Sequence, residues 1–160
     1  MLERTASDAT PRDDAVRLLA RREYSRAELA ERLAVKGHAD DSIAECLDDL
    51  AEQGLQSDAR FAESFLRSRI FRGQGPVKIR LELERRGLGR EEVQAAFAAS
   101  EQAGEADWPG LACAALARRF TGPGDTPRER ARRERFLASR GFDFDQVRHA
   151  LAHAWDSASD

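Results

Sequence analysis

The sequence predicts an all-α protein built from three tandem three-helix, helix-turn-helix-like repeats in an elongated, curved arrangement. Three observations carry this expectation. A glycine-centred pattern recurs three times, helix start and stop signals bracket each copy, and no segment shows the period-two alternation of a strand. The pattern is Leu-x2-[KR]-Gly-x5-[IV]-x3-[LF]. It appears as Leu33, Lys36, Gly37, Ile43, Leu47; as Leu83, Arg86, Gly87, Val93, Phe97; and as Leu137, Arg140, Gly141, Val147, Leu151.

Each position in the pattern has a physical reason. The leucine buries one face of a helix. The basic residue in the last turn meets the negative end of the helix dipole. Glycine takes the left-handed conformation that ends the helix. The next two apolar residues, four apart, share one face of the following helix.

In chain order, residues 1–12 are expected to be disordered. The first repeat, 13–56, holds helices over 13–23, 25–36 and 40–53, with Ser25 and Glu28 forming a capping box. The second, 57–101, holds helices over 57–72, 76–86 and 90–101, the middle one opened by Pro76. The third, 102–156, holds helices over 107–120, 127–140 and 143–156. There Thr126 and Glu129 form a capping box and Pro127 stands at the first helical position. Residues 121–126, TGPGDT, form a linker inside the third repeat, and 157–160 form a tail. Units of this kind cannot each bury a face alone and stack in a row.

Composition narrows the function. The formal net charge is −3, and of the 26 basic residues only Lys36 and Lys78 are lysines. Residues 13–56 carry net −5 and residues 57–97 carry net +3. The helix-turn-helix outline of Ser25–Leu50 suggests a DNA reader, but its second helix, 40–53, bears six carboxylates and no cation. Such a helix is repelled by phosphate. Cys46 and Cys113 stand in apolar helical patterns and are expected to be buried free thiols. There is no apolar leader and no run long enough to span a membrane, so the chain reads as cytoplasmic and free of the membrane.

Chemistry is not legible. No phosphate loop, dinucleotide fingerprint or nucleophile elbow is present. His149 and His153 share a helix face, but no third ligand is near in sequence, so neither a metal nor a cofactor is expected. The consecutive acids point apart on their helices and form no acid/base pair. A binding module, not an enzyme, is expected.

Two basic groups stand out: Arg67, Arg69, Arg72, Lys78 and Arg80; and Arg128, Arg132 and Arg135 with their arginine neighbours. They are either a solvated face balanced by Glu129 and Glu134, or contacts for phosphate or an acidic protein surface. Arg133 occupies the register that holds Leu29 and Ile79 in the other repeats, which suggests that its helix is only half buried.

The run DARFAESFLRSRIFRGQGPVKIRLELERRGL, Asp58–Leu88, resembles the signature of the RecX family. RERARRERFLASRGFDFDQVRHAL, Arg128–Leu151, is similar to that family's C-terminal repeat, and AVRLLARREYSRAELAERLAVKG matches its first. The resemblance covers about residues 13–155. It implies a non-enzymatic bacterial regulator that binds the RecA filament on single-stranded DNA; a monomer is expected, with oligomeric state left open by the sequence. It also implies inhibition of ATP hydrolysis, strand exchange and co-protease activity, and so damping of recombination and the SOS response. The acidic first repeat and the net charge of −3 leave room for only weak direct DNA binding. The competing reading is a stand-alone helical nucleic-acid-binding module that acts without RecA.

Overall fold

The computed structural model describes residues 9–156. Among them are nine α-helices: α1 Pro11–Leu19, α2 Arg26–Val35, α3 Asp40–Glu52, α4 Asp58–Phe71, α5 Pro76–Arg85, α6 Arg90–Gln102, α7 Trp108–Arg119, α8 Pro127–Arg140 and α9 Phe144–His153. The helix order is the one the repeat pattern predicts, with most ends shifted by one to four residues. The chain divides into two compact units. Unit 1 holds the described residues up to Ser64 together with Leu83–Val93. Unit 2 holds Phe65–Glu82 and the described residues from Gln94 onward.

The first helix corrects an expectation. Residues 1–12 were assigned to a disordered segment, yet α1 begins at Pro11. Thr10 accepts from the Asp13 amide at 3.1 Å, and Asp13 accepts from the Thr10 amide at 3.2 Å. This is a full capping box with proline at the first position, which pre-sets the helical φ. Residues 1–8 lie outside the described residues, as does the tail 157–160. The helix ends at Leu19, earlier than the expected residue 23, and Ser25 caps α2 from an extended backbone (φ −72°, ψ 157°).

In unit 1 the three-helix core is built from Ala15, Tyr24, Leu29, Leu33, Ile43, Cys46, Leu47 and Leu50. The six carboxylates of α3 (Asp40, Asp41, Glu45, Asp48, Asp49 and Glu52) all face solvent. One charge enters the core. Asp14 is 1% exposed and is held by His38 Nε2 at 2.6 Å and Lys36 Nζ at 3.3 Å. The hydrogen bond from His38 holds its carboxyl below the usual range. Burial opposes that effect and Lys36 adds to it.

The start of α2 meets the end of α5. Ser25 Oγ donates to the Arg86 carbonyl at 2.8 Å, and Arg86 Nη1 donates to Glu28 Oε2 at 3.0 Å. Gly87, at φ +91°, lies so close to Ala27 that a Cβ would overlap the alanine methyl. The α4 end of unit 1 is tied in by polar contacts. The Arg26 amide donates to Asp58 Oδ1 at 2.8 Å, and Gln56 Nε2 donates to Asp58 Oδ1 at 3.0 Å and to the Tyr24 carbonyl at 3.3 Å.

Unit 2 repeats that joint one register further on. The Gly75 amide donates to the Arg140 carbonyl at 2.7 Å, and the Val77 amide donates to the Gly141 carbonyl at 2.9 Å. The free amides at the start of α5 and the free carbonyls at the end of α8 thereby satisfy each other. Gly141, at φ +99°, leaves no space for a side chain, because a Cβ would overlap that of Lys78. Helix α7 packs on α9 and α8, and α8 packs on α9. Leu116, Leu137 and Ala150 are fully buried there. Phe97 and Trp108 stack at 5.7 Å, and Trp108 Nε1 donates to Glu101 Oε1 at 3.2 Å.

Gly37 shares the left-handed backbone of its counterparts, at φ +93°, but meets nothing within 4 Å. Replacement by alanine is therefore expected to cost about 1–2 kcal/mol at Gly37, the backbone cost alone. At Gly87 or Gly141 the cost should be about 3 kcal/mol or more, because overlap adds to strain. Urea unfolding of the three variants checks the order.

A second expectation concerns Asp14. Its folded pKa is depressed, so its stabilisation is present above the ordinary carboxylate value and fades as pH falls through the folded value. Asp14→Ala should cost about 3 kcal/mol at pH 7 through loss of a buried pair. It should also flatten the fall in stability between neutral and acid pH, as denaturation at stepped pH would read.

Candidate functional site

All eight basic residues singled out from the sequence fall in unit 2, and the structure gives them different jobs. Arg69 is largely withdrawn: its side chain is 17% exposed, it pairs with Glu82 at 3.1 Å, and its guanidinium lies 4.6 Å over the Phe65 ring. Arg67 reaches Glu105 at 3.6 Å and stays 65% exposed. Arg80 covers the Phe97 ring at 4.6 Å, and Arg132 lies 6.0 Å over Phe120. Lys78 and Arg128 are exposed. Arg135 borders an apolar groove of about 370 Å3 lined by Phe142, Phe144, Val147 and Arg148. Phe144 is 73% exposed at its mouth.

Arg72 lines a cavity with three further arginines. It stands just past the end of α4. Around a space of about 190 Å3 it is joined by Arg118 and Arg119 from the last turn of α7 and Arg140 from the last turn of α8, with Phe136 and Gly73 between them. The sequence reading missed Arg118 and Arg119 and gave Arg140 only a dipole role. Their convergence depends on how three helix ends pack, for which the sequence offers no periodic signal.

Arg133 also departs from a simple reading. It sits at a core register, and it is used to hold the linker. Its Nε donates to the Gly122 carbonyl at 2.7 Å and its Nη1 to the Glu129 carbonyl at 2.9 Å, while the guanidinium lies 4.4 Å over Phe120. Glu129 accepts from the Asp125 amide at 2.7 Å and the Thr126 amide at 3.2 Å, and these bonds lower its pKa. The helix is half buried there, as its charged register implies.

The thiols are both free. Cys46 is buried, whereas Cys113 is only partly so, against the expectation of full burial. It lies in the repeat whose helix α8 gives just one buried residue, Leu137. Burial raises both thiol pKa values, so both stay protonated at neutral pH. The rings of His149 and His153 lie 4.7 Å apart, tilted by 42°, on the exposed face of α9, and His153 Nδ1 lies 2.6 Å from Asp156. Among the described residues no group of three or more His, Cys, Asp or Glu could hold a metal. No helix of the described residues is long and apolar enough to cross a membrane.

The fold and this arginine-rich unit define an all-helical tandem-repeat binding protein. Models of the three RecX three-helix domains match the chain in order: the first at residues 12–50, the second at 57–96 and the third at 110–151. The chain is 64% identical to the regulatory protein RecX of Chromohalobacter salexigens, over 96% of this chain and 98% of that one. It is 46% identical to the regulatory protein RecX of Halorhodospira halophila, over 96% and 94%. The crystal structure of RecX from Lactobacillus salivarius shares the fold, with a TM-score of 0.74 at 20% identity over 90% of this chain and 94% of that one.

The chain belongs to the RecX family of regulatory proteins. RecX proteins are non-enzymatic and inhibit RecA activities.

The role of Arg133 can be checked by Arg133→Ala. Loss of its two hydrogen bonds to backbone carbonyls should cost about 1–3 kcal/mol. It should also release the 121–126 segment to proteolysis several-fold faster than in the wild type, with cleavage sites read by mass spectrometry.

Proposed function

We propose that this protein binds the RecA filament on single-stranded DNA as a monomer in the cytoplasm. It lies in the filament's helical groove and inhibits ATP hydrolysis, strand exchange and co-protease activity, so that recombination, repair and the SOS response are damped. One observation carries the residue-level part of this reading. Arg67, Arg69, Arg72, Lys78, Arg80, Arg128, Arg132 and Arg135 all belong to one compact unit, while the carboxylates of α3 belong to the other. A chain whose charges are divided in this way fits a groove in which protein and DNA charges alternate. Arg69 contributes from behind the surface, since its guanidinium is committed to Glu82.

The test is RecA ATPase on single-stranded DNA with substoichiometric added protein. Inhibition well below one-to-one is expected. Reversal of the exposed charges, as R67E/R72E/K78E/R80E or as R128E/R132E/R135E, should raise the inhibitory concentration at least about tenfold, roughly 1.4 kcal/mol of binding. Helix content by circular dichroism should be unchanged. Full inhibition by both variants would overturn the assignment of the surface, and no inhibition by the wild type would overturn the function.

A further inference from the structure

The cavity bounded by Arg72, Arg118, Arg119 and Arg140 was not among the sequence-predicted contacts taken as a group, and its chemistry is specific. Four arginines from three helix ends border about 190 Å3. Among the described residues none of the four makes an ion pair. The lining is arginine, phenylalanine, alanine and glycine, with no carboxylate. An arginine at a helix C-terminus is usually a partner for the dipole, and that accounts for each of the four taken singly. It does not account for their convergence. Cations gathered around one cavity repel one another, and a bound anion relieves that repulsion.

Two of the four are also held in place. Arg119 lies 5.0 Å over the Phe120 ring, and Arg140 lies 5.2 Å over the Phe136 ring, which is itself braced edge-on by Phe120 at 5.7 Å. Arg140 is fixed through its backbone as well. Its carbonyl is fixed by the Gly75 amide at 2.7 Å. A pre-positioned fork is what oxyanion recognition requires, because less freedom is lost on binding.

We propose that this cavity is a phosphate-binding site. Guanidinium forks match phosphate oxygens bidentately. The space suits a phosphate group rather than a whole nucleotide. The lining offers no amide or carboxylate to read a base edge or to hold a ribose hydroxyl or a magnesium ion. The site therefore grips phosphate without selecting a base, whether the phosphate belongs to a nucleic-acid strand or to a free nucleotide. It does so despite a net charge of −3, because charges beyond about 8 Å are screened at physiological salt. The inference goes beyond RecA binding and does not require it.

The test compares the wild type with R72Q/R118Q. Neither residue has a ring or ion-pair partner among the described residues, so the fold should survive. The control is R17Q/R21Q, which removes the same charge from exposed positions in unit 1. The probes are oligo(dT), inorganic pyrophosphate and a nucleoside triphosphate without magnesium, each titrated by fluorescence or calorimetry at stepped salt.

The expected result is binding of at least one probe, weakened about tenfold or more in R72Q/R118Q and little changed in the control. If oligo(dT) is the ligand, the slope of log K against log salt should shrink by about 1.4, the value for two contacts on a single strand. Binding of oligo(dT) alone assigns the site to a strand, and binding of pyrophosphate and triphosphate assigns it to a free nucleotide. The proposal is overturned if no probe binds, if both variants weaken binding equally, or if R72Q/R118Q binds as the wild type does. It is also overturned if R72Q/R118Q loses only RecA inhibition, which would mark the cavity as a seat for a protein carboxylate. RecA inhibition by the wild type is scored separately, so a failure of the filament reading is visible by itself.

Discussion

Two joints, each closing on the carbonyl ahead of a repeat glycine, hold this protein's repeats in register, and both use the same positions. In unit 1 the residue twelve before the first repeat's glycine, Ser25, donates through its hydroxyl to the carbonyl just before the next repeat's glycine, that of Arg86. In unit 2 the residue twelve before the second glycine, Gly75, donates through its amide to the matching carbonyl, that of Arg140. Helix ends are where backbone groups lack partners. In unit 2 one helix's surplus carbonyls meet another's surplus amides, and in unit 1 a serine hydroxyl takes the amide's place. Opposite ends of two helix dipoles are brought together by the same contact. Close approach is what makes this possible, and close approach requires glycine at 87 and 141 for a second reason beyond φ.

The first and third repeats differ from the second at these positions. Gly37 keeps the helix-ending conformation, and its surroundings are open. In the third repeat the position equivalent to Ser25 and Gly75 is Glu129, which lies inside α8 and not ahead of it. Helix α8 runs one turn further toward its N-terminus than α2 or α5 does relative to the glycine. Its first turn is closed by the Thr126–Glu129 box, and the linker before it is clasped by Arg133.

The sequence made the repeats legible because glycine, leucine and the following apolar pair are all fixed by local helix geometry. Other features were written there and overlooked. Thr10-Pro11-Arg12-Asp13 is a complete helix-start signal, though it sits in a stretch otherwise poor in apolar residues. Gly54 and Gly104 mark a second glycine period, ending α3 and α6, each at φ +75° and followed by the same amide-to-carbonyl bonds to Leu50 and Ser100. What could not be read is convergence. Arg118 and Arg119 look like ordinary last-turn cations, and only the packing of α7 with α8 places them beside Arg140. The uses of Arg69 and Arg133 were likewise hidden, because an arginine's fork can reach a carboxylate, a ring or a carbonyl, and composition does not say which.

Joint and cavity share a residue, and this ties function to the fold's basic constraint. Arg140 gives its carbonyl to the Gly75 amide and its guanidinium to the cavity. Arg86, its counterpart one repeat earlier, gives its carbonyl to Ser25 and its guanidinium to Glu28. The backbone half of each residue does the same work in both repeats. The side-chain half closes an ion pair in one and, among the described residues, makes none in the other. Because the joint is made by backbone and glycine, the side chain at this position is free to take a role without altering the repeat. Fixing the backbone first also fixes where the guanidinium can reach. The cavity is thus positioned by the same contact that sets the register of the second and third repeats, and a change that loosened that contact would move the arginine with it.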